Sequence, residues 1–291
     1  MPMNSLKNPK RMTIIKNLAI SGQHQKPILI DVFYKETKAK KPIVIFAHGY
    51  KGYKDWGAWN LVAKAFADNG LVFVKFNFSH NGGTAEQPID FPDLEAFGNN
   101  NFTKELDDLQ SVIDWIKSEK SFVNEVDLSN ITLIGHSRGG GIVTIKAQEE
   151  NCVTKVITWA GVSDYGGRFP KGEALEAWRK NGVSYVKNSR TKQQMPLYFQ
   201  FYQDFEDNKE RLNIEKSVQH LRIPHLIIHS EADTTVTIQE AHNLHSWNPK
   251  STLFALQDAT HTFDAVHPWE NNFLPNALQE VVDKSVGFIL K

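Results

Sequence analysis

An apolar, β-branched run from Ile131 to Ile134 leads directly into Gly135-His136-Ser137-Arg138-Gly139 and then into a helical pattern. A strand that turns sharply into a helix at a serine needs small residues on both sides, because the backbone crosses itself there. The sequence therefore predicts a tight turn that presents Ser137 at the edge of a sheet. Ser137 is a candidate nucleophile, although a serine here could instead simply cap the helix.

Two later strand patterns end close to residues that could activate this serine. Residues 225–233 predict a buried strand that ends near Asp233, and residues 251–256 predict a strand followed by a loop that carries His261. A serine hydroxyl is a weak nucleophile until a histidine accepts its proton and an acid orients that histidine. We therefore predict Ser137, Asp233 and His261 as a catalytic triad, in the chain order of α/β-hydrolases. Glu231 and Asp258 are the alternative acids.

A second motif, His48-Gly49-Tyr50, follows the apolar strand pattern of residues 43–47. Together with residues 135–140 it resembles the α/β-hydrolase superfamily, most of all the feruloyl (cinnamoyl) esterases and prolyl-oligopeptidase-like hydrolases. The resemblance extends from about residue 40 to the end of the chain. It implies that the backbone N–H groups of Tyr50 and Arg138 form an oxyanion hole. Feruloyl esterases more often have Phe and Gln at these two positions, and this departure leaves the substrate class open.

The alternation of strand and helix patterns predicts an α/β fold. Residues 12–20 and 28–36 predict an antiparallel hairpin, and the alternation across residues 43–160 predicts a mostly parallel, doubly wound sheet. We expect an α/β-hydrolase core from residues 1–162 and 218–291. Residues 163–217 interrupt the alternation, and we interpret them as a cap inserted over the active site.

The predicted cap is rich in aromatic residues. We expect Trp178, Phe201 and Tyr202 to contact the substrate, because a cap that faces the triad must supply part of the pocket wall. The alternative is that each of these rings packs in a hydrophobic core, which is the more common role of an aromatic stripe.

Composition narrows the possible partners. The 33 basic and 33 acidic side chains of this 291-residue chain balance, which gives no electrostatic reason to expect a nucleic-acid partner. The single cysteine, Cys152, excludes an intramolecular disulfide and suits a reducing compartment. Residues 1–16 lack an apolar signal segment, and no apolar stretch is long enough to span a membrane. We therefore expect a cytoplasmic protein.

Several other polar residues could bind a metal or contact the substrate. The chain has eleven histidines, but none shows the ligand spacing of a metal site, so we predict neither a metal nor another cofactor. We interpret His48 and His136 as structural residues of the two turns. Lys51, Lys54 and Asp55 could contact the substrate, but we expect them to be solvated surface charges.

These patterns together predict a serine hydrolase that acts on a small-molecule carboxylic ester, with a small apolar or aromatic acyl group. A peptidase that acts on acyl-peptides or free amino termini would use the same residues. A small-molecule receptor that keeps the triad without turnover is the alternative outside the enzymes. The sequence does not indicate an oligomeric state.

Overall fold

The main feature of the fold is a single eight-stranded sheet. The computed structural model describes residues 11–37 and 39–291. These residues form ten strands, eight in the main sheet and two in a small second sheet. The strands are β1 (Met12–Ser21), β2 (Pro27–Lys35), β3 (Lys41–Ala47), β4 (Val72–Asn77), β5 (Val126–His136), β6 (Val153–Trp159), β7 (Val183–Lys187), β8 (Gln194–Tyr198), β9 (His225–Ser230) and β10 (Thr252–Leu256). The main sheet has the order β1-β2-β4-β3-β5-β6-β9-β10, and β7 and β8 form a separate pair.

Strand directions divide the main sheet into two parts. β1, β2 and β4 pair antiparallel, whereas every neighbouring pair from β4 through β3, β5, β6 and β9 to β10 is parallel. The predicted hairpin and the predicted parallel sheet are therefore both confirmed. Because parallel strands end at the same edge, the loops after β3, β5, β6, β9 and β10 meet on one side of the molecule.

The described residues form nine helices, and several of them cover the two faces of this sheet. They are α1 (Trp59–Asp68), α2 (Leu94–Gly98), α3 (Phe102–Ser118), α4 (Arg138–Glu149), α5 (Glu173–Asn181), α6 (Gln200–Asp207), α7 (Ile214–His220), α8 (Ile238–Trp247) and α9 (Asn276–Ile289). Alternate residues of β3 reach opposite layers: Ile43 and Ile45 pack with α3, α4, α7 and α8, whereas Val44 and Phe46 pack with α1 and α9. Burial on both faces explains the continuous apolar runs of the central strands.

The predicted cap segment has secondary structure of its own. Residues 163–217 contain a short 3-10 turn (Gly166–Arg168), α5, the β7–β8 hairpin, α6 and the start of α7. The predicted boundary at residue 217 lies inside α7, and α7 packs against α4 of the core. Within the described ranges, no helix combines the length and the apolar composition needed to cross a bilayer.

A carboxyl group is buried where α3 packs under the end of β4. Asp108 is fully buried, and its Oδ2 accepts the N–H of Ser79 at 2.7 Å. Its Oδ1 is buried and has no hydrogen-bond partner among the described residues. Burial raises the pKa of Asp108 to about 7, although the hydrogen bonds from Ser79 oppose this rise. At mildly acidic pH the folded protein therefore binds a proton that the unfolded chain has already released.

We expect the free energy of unfolding to fall as the pH rises from about 4 to 7. The reason is that the folded state, in which Asp108 is still protonated, binds more protons than the unfolded state in that window. A carboxyl pKa raised this far lowers the free energy of unfolding by about 3 kcal/mol across the window. Asp108→Asn cannot titrate and should lose this part of the pH dependence. Urea denaturation at pH 5, 6 and 7 measures it, with the exposed Asp207→Asn as control. Equal pH slopes in the wild type and Asp108→Asn would contradict the assignment.

Candidate active site

The turn between β5 and α4 has the geometry of a nucleophile elbow. Ser137 lies at φ 56° and ψ −122°, a backbone region that residues other than glycine rarely adopt. A Cβ at Gly135 would lie 2.2 Å from the carbonyl oxygen of Gly139, and a Cβ at Gly139 would lie 2.5 Å from that of Ala47. Side chains at either position are therefore excluded, which explains the glycines on both sides of the serine.

His261 and Asp233 lie in direct contact. Asp233 follows β9 and His261 follows β10, and the Nδ1 of His261 lies 2.7 Å from the Oδ2 of Asp233. The other carboxylate oxygen, Oδ1, accepts the N–H groups of Thr235 at 2.8 Å and Val236 at 3.0 Å. With Nδ1–H donating to the carboxylate, the Nε2 of His261 is left free to accept a proton. The alternative acids, Glu231 and Asp258, are both exposed.

The charge state of this pair follows from its surroundings. Burial alone would raise the pKa of Asp233, but the hydrogen bonds from His229, His261 and the N–H of Val236 outweigh burial and hold the pKa well below its usual value. The carboxylate is therefore ionised at neutral pH. The Nε2 of His136 donates to the carbonyl oxygen of His261 at 2.9 Å and so supports the histidine loop. Burial lowers the pKa of His136 to about 3, which keeps its ring neutral.

Ser137 and His261 face a shared cavity of about 500 Å³. Four aromatic residues contribute to its wall: Tyr50, Trp56, Trp59 and Phe91. Three consecutive residues of the predicted cap, Asn188 to Arg190, also line it, and they form part of the turn between β7 and β8. The cavity is thus bounded by the loops after the parallel strands on one side and by the β7–β8 turn on the other.

The two residues expected to supply the oxyanion hole lie beside Ser137. The loop that carries Tyr50 approaches so closely that a Cβ at Gly49 would lie 2.9 Å from the Cβ of Ser137. Arg138 is the first residue of α4, and the N–H groups of a first helical turn have no acceptor within the helix. The oxyanion-hole role of these two backbone N–H groups stays a prediction.

The side chain of Arg138 forms a buried ion pair below the turn. Its NH2 group donates to the Oε1 of Glu105 at 2.6 Å and its Nε to the Oε2 at 3.2 Å. The guanidinium also lies 4.9 to 5.3 Å from the ring centres of Tyr50, Phe102 and Phe201. Burial raises the pKa of Glu105, and the positive charge of Arg138 opposes that rise. A cation held between aromatic rings and a carboxylate fixes the start of α4.

The structure places Trp178, Phe201 and Tyr202, the predicted substrate contacts, in contact with other aromatic rings. Trp178 is buried, donates its indole N–H to the carbonyl oxygen of Leu197 at 2.8 Å, and packs against Tyr202 and Phe169. Phe201 packs against Phe169 and covers Arg138. Within the described part of the chain, Trp178, Phe201 and Tyr202 are not among the residues that line the cavity. Trp178 and Tyr202 pack with Phe169 within residues 163–217, whereas Phe201 packs outward against Phe102 of α3.

The prediction that Lys54 and Asp55 are solvated charges is wrong. Lys54 is fully buried and its Nζ lies 2.9 Å from the Oδ1 of Asp31. The fully buried Lys75 contacts the Oδ2 of Asp31 and the Oδ1 of Asp55, each at 2.7 Å. Lys16 joins the same two carboxylates from β1. These five charges pair with one another underneath the loop that carries Tyr50. Two features of the sequence could have revealed this cluster: a lysine inside the apolar strand β4 and an aspartate inside the apolar strand β2.

Across residues 11–37 and 39–291, no group of three or more His, Cys, Asp or Glu side chains is arranged to hold a metal ion. The closely spaced pair His225 and His229 is instead buried in β9, where His229 contacts the carbonyl oxygen of Val236 at 2.7 Å. The side chains gathered around the cavity can support proton transfer and nucleophilic attack.

Glu105→Gln should destabilise the protein by about 3 kcal/mol, because it leaves the buried Arg138 guanidinium without its countercharge. The double variant Glu105→Gln/Arg138→Gln should lose less stability than the sum of the losses of the two single variants, since it buries no unpaired charge. Urea denaturation measures all three free energies of unfolding. The exposed pair Arg179 and Glu176 provides the matched control, and Glu176→Gln should change stability by less than about 0.5 kcal/mol. Strict additivity would show that the two side chains do not interact.

Solved structures of other proteins share the fold of this chain. Est1E from Butyrivibrio proteoclasticus superimposes with a TM-score of 0.68 at 16% identity, covering 95% of this chain and 98% of Est1E. Its structure with bound ferulic acid gives a TM-score of 0.69 at 17% identity, covering 94% and 98%. A dienelactone hydrolase from Anabaena variabilis gives 0.62 at 16% identity, covering 96% and 97%. These likenesses show the α/β-hydrolase fold.

A search of curated protein sequences gave no match. A family model does match: the model described as BD-FAE covers residues 30–248, which include Tyr50, Ser137 and Asp233. The chain therefore belongs to the BD-FAE family of feruloyl-esterase-like α/β-hydrolases.

Proposed function

We propose that this protein is a serine esterase that cleaves small carboxylic esters through an acyl-enzyme intermediate, with Ser137, His261 and Asp233 as its catalytic residues. One observation carries the proposal: His261 contacts Asp233 at 2.7 Å and faces the same cavity as Ser137, which lies on a strained turn. Membership of the BD-FAE family supports an esterase-type hydrolase.

In the proposed mechanism, the Nε2 of His261 accepts the hydroxyl proton of Ser137 as the serine oxygen attacks the ester carbonyl carbon. The backbone N–H groups of Tyr50 and Arg138 donate to the oxyanion that forms. The tetrahedral intermediate collapses when His261 returns the proton to the leaving alcohol. Water then enters, loses a proton to His261 and attacks the acyl carbon. Collapse of this second tetrahedral intermediate releases the carboxylic acid, and His261 returns the proton to the oxygen of Ser137.

Asp233 contributes by orienting the imidazole and stabilising its protonated form. Its low pKa keeps it ionised, because several hydrogen bonds to the carboxylate outweigh the effect of burial. A carboxylate that remained protonated could not hold the Nδ1–H tautomer in place. The mechanism requires no cofactor, since the side chains named above supply the nucleophile, the base and the oxyanion donors.

The cavity supports an apolar or aromatic group in the substrate. Tyr50, Trp56 and Phe91 give it aromatic walls, and a volume of about 500 Å³ suits a small ester. Est1E, which shares the fold, has been solved with ferulic acid, an aromatic acid. We propose that residues 163–217 act as the cap, with the β7–β8 turn closing one side of the cavity.

Ser137→Ala and His261→Ala should each lower kcat for p-nitrophenyl esters by at least about 10⁴-fold, and Asp233→Asn by about 10³- to 10⁴-fold, because these residues act as a unit. A fluorophosphonate should add once to the wild type, at Ser137, and should not add to Ser137→Ala. Intact-mass analysis and ester turnover measure both effects. Circular dichroism checks that the variants are folded.

Ser246→Ala, an exposed serine on α8, is the matched control and should retain full activity and labelling. Near wild-type turnover in Ser137→Ala or His261→Ala would refute the mechanism. Faster cleavage of a p-nitroanilide than of the matching p-nitrophenyl ester, relative to their spontaneous hydrolysis, would favour a peptidase. Ligand-induced stabilisation without product formation would favour a receptor.

A further inference from the structure

The cavity wall carries positively charged side chains. Of the side chains that line the cavity in the described part of the chain, Lys51 and Arg190 are cationic and none is an Asp or Glu. The two cations come from different elements: Lys51 follows Tyr50 in the loop after β3, and Arg190 belongs to the β7–β8 turn of the cap. A cavity with one sign of charge and apolar walls concentrates ligands of the opposite charge.

Lys51 is held in a constrained position. Its backbone is left-handed at φ 54°, which is uncommon for a residue other than glycine and frequent at ligand sites. Its Nζ lies 5.5 Å from the ring centre of Tyr50, which orients the ammonium group. The side chain is half-buried, and it forms no ion pair with any described residue. Its charge is therefore available to a ligand.

Arg190 is anchored and still accessible. Its NH2 group contacts the Oδ1 of Asp90 and lies 3.4 Å from the hydroxyl oxygen of Tyr53, and its side chain is 35% exposed. A guanidinium has five N–H donors, so this anchoring at one nitrogen leaves others for a second anion. The anchored end fixes where the free donors point.

The surrounding charges do not cancel that of Lys51. Asp31 and Asp55 are fully engaged by three lysines, Arg138 is matched by Glu105, and Asp233 lies behind His261. His48 and His136 also line the cavity, and burial lowers their pKa values to about 4 and 3, so both are neutral at pH 7.

We propose that this cavity selects esters that carry an anionic group such as a carboxylate next to an aromatic or apolar body, and that Lys51 and Arg190 bind that group. The inference rests on the proposed esterase function, since it specifies the substrate class of the same site. Lys51 is a specificity residue in this scheme. The anion is recognised by charge and by hydrogen bonds, whereas the body of the substrate packs on Trp56 and Phe91.

The test compares kcat/KM for two pairs of esters at low ionic strength. One pair places the carboxylate on the alcohol side, 4-acetoxybenzoate against 4-acetoxybenzamide. The other places it on the acyl side, monomethyl terephthalate against its neutral amide, methyl 4-carbamoylbenzoate. In each pair the anionic-to-neutral ratio is measured for the wild type, Lys51→Met and Lys51→Glu. Dividing the wild-type ratio by the variant ratio cancels the intrinsic reactivity of the esters.

For at least one pair, we expect the ratio to fall about fivefold in Lys51→Met and further in Lys51→Glu, as for a partly exposed ion pair. Raising the salt concentration should reduce the wild-type preference. Arg190→Gln should lower the ratio as well, and Lys180→Met, an exposed lysine on α5, should leave it at the wild-type value. Equal ratios in the wild type, Lys51→Met and Lys51→Glu for both pairs would overturn the proposal.

Failure of the esterase function would look different, because no ester would then be hydrolysed whatever its charge. Anion selectivity can still be measured in that case by calorimetric titration of benzoate and benzamide into Ser137→Ala and into Ser137→Ala/Lys51→Glu. Tighter binding of benzoate that is lost in the double variant would support the anion site. No preference for benzoate in Ser137→Ala would overturn it independently of turnover.

Discussion

The close approach of three backbone segments at Ser137 is the constraint on which the site depends. The ends of β3, β5 and β6 meet there, and a Cβ at Gly140 would lie 2.7 Å from the Cα of Gly161. The N–H of Ser137 donates to the carbonyl oxygen of Trp159 at 2.9 Å, which ties the strained turn to β6. Because the turn, the loop with Tyr50 and the start of α4 share this small volume, the position of one fixes the others.

A cluster of buried charges holds the loop that carries Tyr50. The cluster of Lys16, Lys54, Lys75, Asp31 and Asp55 joins this loop to β1, β2 and β4. Burial lowers the pKa of Lys75 to about 8, although the two carboxylates favour its charged form. Removing charges from water costs several kcal/mol for each ion, so such a cluster persists only where every member is paired. Its geometric consequence is that the Tyr50 loop cannot shift without breaking several ion pairs.

Arg138 connects this region to residues 163–217. Its guanidinium contacts Tyr50 from the loop after β3, Glu105 and Phe102 from α3, and Phe201 from α6. Tyr50 and Arg138 are also the two positions at which the chain departs from the usual feruloyl esterase pattern of Phe and Gln. The structure shows that these two side chains touch. A cation over an aromatic ring accounts for both departures as one interaction.

Sequence periodicity was sufficient for most of the architecture and for naming the triad candidates. The hairpin, the parallel strands and the glycine-flanked Ser137 each leave a local signal, because alternation of apolar residues and backbone crowding act between neighbours in the chain. The choice of Asp233 over Glu231 and Asp258 was weaker, since it depended on where separate strands end. Of these three carboxylates, the structure places that of Asp233 against the Nδ1 of His261, at 2.7 Å.

By itself, the sequence determined the fold class and named the residues proposed to carry out the chemistry, because both follow from side-chain type and local spacing. Only the tertiary structure decided that Trp178, Phe201 and Tyr202 pack against other aromatic rings and that Asn188 to Arg190 line the cavity. It alone also decided that Lys54 is buried. The physical reason is that cavity walls and charge pairs are assembled from segments distant in sequence, and their burial depends on which segments pack together.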